Sequence, residues 1–345
     1  LGHACLGHLV ATVAELAAMQ RARDLAVSVV LADGPNPRVG CVILDSGGRV
    51  VGEGAHHGAG TPHAEVVALA AAGVNARGGT AVVSLEPCHH TGRTGPCSEA
   101  LLAAGIHRVV YGQTDPHALA AGGSQALRAA GVDVEGEVDS DLAADLNRAW
   151  TFAVTQGRPF VTVKMAATLD GRVAAVDGTS RWITGEEARR DVHRLRSECD
   201  AVLVGTGTVV LDDPALTVRD APVPLGGQPL RVVVGRRDIP EGARLRDEGA
   251  LTLHLRTHDV RAVMTALSER DIRHVLVEGG PTLIAAFLDA GLVDEVVWYV
   301  APALLGAGAP ALSDLGINTI DHVLRLRDVR VVQIGGDARI SGRVG

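Results

Sequence analysis

Aromatic side chains are scarce: Phe, Trp and Tyr together make up 2% of the 345 residues. The core must therefore be built from Val, Leu, Ile and Ala, and little is available to stack against unpaired bases. Lysine is far outnumbered by arginine, which reads as compositional bias rather than function. A net positive charge is also absent. The formal charge is −8, which disfavours a duplex nucleic-acid binder that must neutralise phosphates but leaves room for a small basic pocket. The five cysteines are odd in number and unevenly spaced, so no disulfide framework is expected and a reducing cytoplasm is the default. Long apolar runs are missing too. Residues 1–18 are fairly apolar, but His3, His8 and Glu15 interrupt them and no basic region precedes them. They are expected to be an N-terminal extension rather than a signal peptide, with Met19 a possible start, and no membrane association is expected.

What is present is an ordinary globular composition, 47% hydrophobic and 21% charged, which excludes a mainly disordered chain. At roughly 100–200 residues per domain the length suggests two domains. The pattern predicts a helix over 19–32, a hairpin of strands 39–44 and 49–53 around Ser46-Gly47-Gly48, and a helix over 63–72 stopped by Gly73. Strand and helix alternate on through strand 80–85, helix 98–104, strand 107–111, helix 123–130 and strand 132–134. A polar Gly/Pro break at 156–159 separates this half from a second alternation. There strands are expected at 160–165, 201–204, 230–234, 251–255, 274–277 and 295–300, with helices at 186–198 and 282–289. Alternation is expected to continue through the last hundred residues. The fold class is α/β, with domains over 19–155 and 156–345.

The strongest chemical signal is His63-Ala64-Glu65, followed by Glu86-Pro87-Cys88 and Pro96-Cys97. One imidazole and two thiolates suit Zn²⁺, and three protein ligands leave the fourth tetrahedral position to water. Zinc lowers the pKa of such a water toward about 7. Glu65, two residues from His63 at a helix start, can aim at the open position without ligating the ion. The pattern is that of zinc nucleobase deaminases, with the glutamate as general acid and base. Eight residues separate the two cysteines here, where the usual deaminase has two. Cys41 is expected to be a buried core thiol, and Cys5 and Cys199 to be inert.

Longer stretches around these residues resemble the bifunctional riboflavin-biosynthesis family, in which a diaminohydroxyphosphoribosylaminopyrimidine deaminase is joined to a 5-amino-6-(5-phosphoribosylamino)uracil reductase. The stretches are Pro35-Asn36-Pro37-Arg38-Val39-Gly40, Gly52-Glu53-Gly54-Ala55-His56, Leu85 through Cys97, and Asp115-Pro116. The eight-residue gap is that family's own variant; Gly95, where proline is usual, is a local departure. The resemblance implies a cytidine-deaminase-like three-layer domain. In it His63, Cys88 and Cys97 would hold one zinc ion and Glu65 would shuttle the proton. Asn36, His56, His90 and Arg93 would line the substrate pocket, with Arg93 near the substrate phosphate.

In the second half the motif signal is weaker. Gly205-Thr206-Gly207 lacks the third glycine of a dinucleotide fingerprint and no helix pattern follows at once. Gly279-Gly280 before the helix over 282–289 could admit a phosphate to a helix start. The stretches Arg158 through Gly171, Ser180 through Gly185, Arg194-Leu195-Arg196, Asp200 through Val209 and Asp212 through Arg219 extend the same resemblance to the C-terminus. It implies a dihydrofolate-reductase-like domain. Ala166, Trp182, Thr208, Asp212 and the turn–helix Gly280, Pro281, Thr282, Leu283, Ile284, Ala285 and Ala286 would hold NADPH. Ser180, Arg196, Leu216, Arg219 and Glu278 would hold the substrate. Lys164, Asp212 and Glu278 are candidates for supplying the proton in the reduction.

The expected function is hydrolytic deamination of 2,5-diamino-6-(5-phosphoribosylamino)pyrimidin-4-one, then reduction of the ribosyl side chain to ribityl by NADPH, giving 5-amino-6-(5-phosphoribitylamino)uracil. The partner is the phosphoribosylaminopyrimidine substrate, not nucleic acid, and a homo-oligomer is expected. Two rivals stand beside this reading. A nucleic-acid-editing deaminase is disfavoured by charge, aromatic content and cysteine spacing. A non-catalytic zinc scaffold would more often carry four protein ligands.

Overall fold

The first helix shows how local chemistry sets a boundary. Thr12 accepts a hydrogen bond from the Glu15 N–H, and the Glu15 carboxylate takes the Thr12 N–H at 2.7 Å, a reciprocal cap. Helix α1 (Val13–Ser28) therefore begins well before Met19. Residues 13–18, expected to belong to an extension preceding the domain, instead form the opening turns of this helix: Glu15 and Ala18 are buried, and Arg108 binds Glu15 at 2.6 Å. The computed structural model describes residues 11–32, 34–90, 95–117 and 120–345, so the rest of the expected extension lies outside the described residues. Two compact units emerge, one of residues up to Leu31 with Asn36–Thr155, the other of Gln156–Gly345 with Ala32–Pro35.

The first unit continues with β1 (Gly40–Leu44), β2 (Val50–Ala55), α2 (Ala64–Ala72), β3 (Thr80–Leu85), α3 (Cys97–Ala103), β4 (Arg108–Gln113), α4 (Gly123–Ala129), β5 (Asp133–Glu135), α5 (Ser140–Leu146) and α6 (Arg148–Gln156). The sheet order is β2-β1-β3-β4-β5, antiparallel across the hairpin and parallel from β3 to β5. Side chains alternate across it. Cys41 and Ile43 pack with Ala64 and Ala68 of α2, Leu101 of α3 and Leu127 of α4 on one face. Val42 and Leu44 pack with Ala18, Met19 and Ala22 of α1 on the other. The result is a three-layer sandwich, and Cys41 is a core thiol as expected.

The second unit holds β6 (Phe160–Thr168), β7 (Arg172–Ala174), α7 (Glu186–Glu198), β8 (Ala201–Gly205), α8 (Thr206–Asp212), β9 (Leu230–Val234), β10 (Thr252–Leu255), α9 (Val260–Ser268), β11 (His274–Val277), α10 (Pro281–Asp289), β12 (Glu295–Ala301), β13 (Ala309–Pro310), β14 (Leu326–Ile334) and β15 (Asp337–Val344). Its main sheet runs β10-β9-β8-β11-β6-β12-β15-β14. The first six strands are parallel, read in the sequence as short continuous apolar runs because both faces are covered.

Two expectations are corrected. A helix, α8, does follow Gly205 at once; Thr-Gly-Thr-Val-Val hid it because β-branched residues and glycine have low helix propensity. Alternation also stops at β12, and the chain ends in the antiparallel pair β14–β15.

Candidate functional site

Three elements converge on one point of the first unit. His63 is the N-cap of α2, Cys97 is the first residue of α3, and Cys88 lies in the loop leaving β3. The His63 Nδ1 stands 3.1 Å from the Cys97 Sγ and 3.6 Å from the Cys88 Sγ. All three ligand atoms lie within 4.8 Å of one another. The Cys97 thiol and backbone N–H, with His63, hold the Cys88 thiol below its ordinary value, whereas the same contact and burial push Cys97 up. Two sulfurs and one imidazole sharing so little space, with one thiol already poised to ionise, are the donor set that suits zinc. The helix starts at Glu65 and Cys97 favour negative charge.

Glu65, in the first turn of α2, is 4% exposed. Burial pushes its carboxyl up to about 7, near the value a neutral-pH acid–base group needs. A Cβ at Gly123 would lie 1.7 Å from the Pro87 carbonyl oxygen, so only glycine lets α4 press on the Cys88 loop. Glu86 fixes that loop from beneath by accepting the N–H groups of Ser124 and Asp115 at 3.0 and 3.2 Å.

Next to this cluster, His56 stands edge-on to His63 with ring centroids 5.4 Å apart. Its Nδ1 faces the Pro62 carbonyl at 3.2 Å, and its Nε2 the Asn36 amide nitrogen at 3.0 Å. Burial lowers the pKa of His56, so a neutral ring donates from Nδ1 to Pro62 and accepts from Asn36. His90 is half-buried, and its Nδ1 has no hydrogen-bond partner among the described residues. Arg93 lies outside the described residues.

In the second unit the parallel pairing Val277↔Val163 sets Lys164 beside Glu278. Lys164 Nζ lies 3.3 Å from Glu278 Oε2, and Arg196 of α7 grips the same carboxylate with two N–H groups at 2.5 and 2.9 Å. Burial alone would raise the Glu278 carboxyl, but Arg196 and Lys164 outweigh it and hold it at about 2. Arg196 also donates to the Thr217 carbonyl at 3.0 Å, and the Arg219 N–H donates to His193 Nδ1 at 3.1 Å. Leu216 is left-handed, φ 52°, with its side chain in the core. Ser180 is half-buried, and no hydrogen bond among the described residues ties it to Arg196 or Glu278.

Of the residues expected to hold a cofactor, Ala166, Thr208 and Gly280 lie at or just beyond the carboxyl ends of the parallel strands β6, β8 and β11, where ligands of such sheets bind. The Gly280 N–H donates to Thr208 Oγ1 at 3.1 Å, joining the starts of α8 and α10. Ala166 lies in the C-terminal half of β6. Trp182, 70% exposed, lies under the Arg189 guanidinium at 4.4 Å, while Arg181 donates to the Asp212 carbonyl oxygen. Pro281 opens α10, Ile284 and Ala285 are buried inward, and Thr282 is exposed. A fold edge with glycine amides, a threonine and an open indole fits a nucleotide cofactor.

Residues 14–113 match the cytidine and deoxycytidylate deaminase zinc-binding region, and residues 159–340 match the RibD C-terminal domain. A Mycobacterium tuberculosis riboflavin biosynthesis protein RibD is 49% identical over 309 residues, 89% of this chain and 91% of that protein. The Escherichia coli RibD is 40% identical over 354 residues, 92% and 96% of the two chains. The chain belongs to the RibD family of riboflavin biosynthesis proteins. Among solved structures, Acinetobacter baumannii RibD superposes with a TM-score of 0.89 at 39% identity, covering 96% of this chain and 99% of that one. A Thermotoga maritima diaminohydroxyphosphoribosylaminopyrimidine deaminase/5-amino-6-(5-phosphoribosylamino)uracil reductase does so at 0.86 and 33%, with the same coverage.

As a member of that family, the chain is a bifunctional enzyme of riboflavin biosynthesis, a cytidine-deaminase-like domain followed by a dihydrofolate-reductase-like reductase. No helix of the described residues is long and apolar enough to cross a membrane. Residues that sequence reasoning passed over include Glu86 as a loop anchor, His193 behind Arg219, and Asn147, whose partner Arg38 is 109 positions away. Nothing local in the sequence marks such contacts.

Proposed function

We propose that His63, Cys88 and Cys97 hold a catalytic zinc ion and that Glu65 is the proton shuttle of the deamination. The observation that carries this reading is the convergence of the three donors within 4.8 Å beside a buried carboxyl. Zinc bound there supplies Lewis-acid activation of water. Glu65 takes a proton from the attacking water and gives it to the ring nitrogen; it then takes the remaining proton of the added hydroxyl and passes it to the leaving amine, so that the carbonyl forms as the C–N bond breaks and ammonia departs. Asn36, its amide nitrogen committed to His56, offers Oδ1 to an N–H of the pyrimidine. His56, neutral, excludes water and keeps Asn36 oriented; His90 and Arg93 complete the pocket, with Arg93 pairing with the phosphate.

In the reductase half NADPH, bound along Ala166, Trp182, Thr208, Asp212 and the Gly280–Ala286 turn–helix, supplies the hydride. The choice of NADPH over NADH rests on the family resemblance. Arg196 and Arg219 present forked donors for the substrate, with Ser180, the Leu216 backbone and Glu278 around it. Of the three candidate proton sources, Glu278 is held ionised by Arg196 and Lys164, and we assign the donor role to Lys164, whose Nζ lies 3.3 Å from Glu278 Oε2. It donates a proton as the ribosyl ring opens to the ribityl chain.

The test incubates the pure zinc-loaded chain with the diaminopyrimidine phosphoriboside. Ammonia release followed by NADPH oxidation is expected, and both zinc and ammonia release should be lost in Cys88→Ala. Zinc retained by Cys88→Ala, or no ammonia from loaded wild type, would defeat the reading.

Self-association of like chains is supported by the outer edge strand β14, whose Val329, Val331 and Val332 are exposed. A reducing cytoplasm is supported by the free thiols of Cys41, Cys88, Cys97 and Cys199.

A further inference from the structure

We propose that Asn147 is a positioning residue of the deaminase site, acting through the backbone of Arg38 on Asn36. The inference rests on the reading of Asn36 as a substrate-pocket residue. Asn147 lies in neither stretch matched to a known domain, 14–113 or 159–340. It sits at the joint between α5 and α6, 2% exposed. Its Oδ1 accepts the Arg38 N–H at 2.8 Å and its Nδ2 donates to the Arg38 carbonyl oxygen at 3.0 Å. One side-chain amide thus satisfies both backbone groups of a single residue, as a neighbouring strand would. Its own backbone is fixed on both sides, donating to the Ala144 carbonyl and accepting from the Thr151 N–H.

The chain between Arg38 and Asn36 transmits this anchor because it has few ways to bend. Pro37 has a fixed φ, and a residue that precedes proline is kept out of the helical region. Asn36 stands between Pro35 and Pro37. With Arg38 held, the Asn36 side chain is delivered to the His56 Nε2 at 3.0 Å, and His56 in turn lies edge-on to His63. Aspartate at 147 could not donate to the Arg38 carbonyl, an aliphatic residue would leave both groups unsatisfied, and glutamine would overreach.

The test is a double-mutant cycle in the full zinc-loaded chain, with Asn36→Ala, Asn147→Ala and the pair. Three quantities are read: kcat/KM for ammonia release, zinc per chain, and NADPH oxidation with the deaminated substrate. Asn147→Ala should lower the deaminase kcat/KM about 10- to 100-fold, the scale of a small misplacement of a binding group. Zinc content and the reductase rate should be unchanged. The double variant should be no worse than Asn36→Ala alone, because both changes remove the same contact. Multiplying effects, or wild-type ammonia release by Asn147→Ala, would overturn the inference. A silent Asn36→Ala would instead remove the reading of Asn36 beneath it. If Asn147→Ala does not accumulate as folded protein, Asn147→Asp, which keeps the acceptor for the Arg38 N–H, carries the same cycle with a smaller loss.

Discussion

Gly54 of β2 faces α2 so closely that a Cβ there would stand 2.4 Å from the Ala64 carbonyl oxygen and 2.6 Å from the Ala68 nitrogen. Both are backbone atoms, so no side chain can swing aside. That contact seats the helix whose start carries His63 and Glu65. Gly54→Ala should push α2 off the sheet, destabilise the deaminase unit by about 1–3 kcal/mol, and lower both zinc content and ammonia release. NADPH oxidation with deaminated substrate should persist. Full zinc occupancy with unchanged ammonia release would show that α2 is not held by this contact.

Glu65→Gln keeps shape and burial but cannot take a proton. Ammonia release should fall by about 10²–10⁴-fold, the usual worth of a general acid–base group. Zinc should stay at one per chain, because the three donors are untouched, and the reductase should turn over. Zinc loss on this substitution would make Glu65 a ligand instead.

The His63, Cys88 and Cys97 cluster with Glu65 was legible because its members lie in short local patterns: His63 and Glu65 two apart, and Cys88 and Cys97 each preceded by proline. The parallel strands were legible as apolar runs, and Thr80–Leu85, Leu230–Val234 and His274–Val277 fall where the pattern put them. What escaped depends on partners distant in sequence. The start of α1 is the exception, because the Thr12–Glu15 cap that sets it is a local pattern, passed over by a helix reading that began at Met19; the partner that buries Glu15, Arg108, lies 93 positions on. Helix α8 forms from residues of poor intrinsic propensity, with Thr206 and Val209 buried beneath it. The Arg196–Glu278 pair spans 82 positions, and only the family resemblance named its members. The burial of Leu216 could not be foreseen from a position that reads as loop.

Glu278 makes the reductase unit acid-sensitive in a defined direction. Its folded value, about 2, lies below its ordinary 4.5. The ionised form therefore stabilises the fold fully above pH 4.5, and that contribution is lost as pH falls from 4.5 through 2. Glu278→Gln leaves Arg196 and Lys164 facing a neutral amide in a site where Arg196 is 11% and Lys164 16% exposed. A loss of about 3–5 kcal/mol is expected near pH 7. Urea midpoints of the reductase transition at pH 7, 5 and 3 should show the gap between variant and wild type shrinking only at the lowest value. A gap that stays constant down to pH 3 and below would mean that the ion pair is not its source.

Lys164 is the single lysine of the chain, where arginine supplies every other side-chain cation but histidine. A site that needed only a positive charge beside Glu278 could use arginine, as Arg196 already does. A compact ammonium that can give up a proton is what arginine cannot replace. Lys164→Arg should preserve the partner charge and so fold at near wild-type stability, while the wider guanidinium, which does not deprotonate, lowers the reductase kcat about 10- to 100-fold. NADPH affinity and ammonia release should be unaffected, since neither the Thr208–Gly280 edge nor the His63 cluster is touched. Stopped-flow NADPH oxidation with deaminated substrate separates the chemical step from binding. A variant that reduces substrate at the wild-type rate would leave Lys164 as a counter-ion alone and reopen the question of which group delivers the proton.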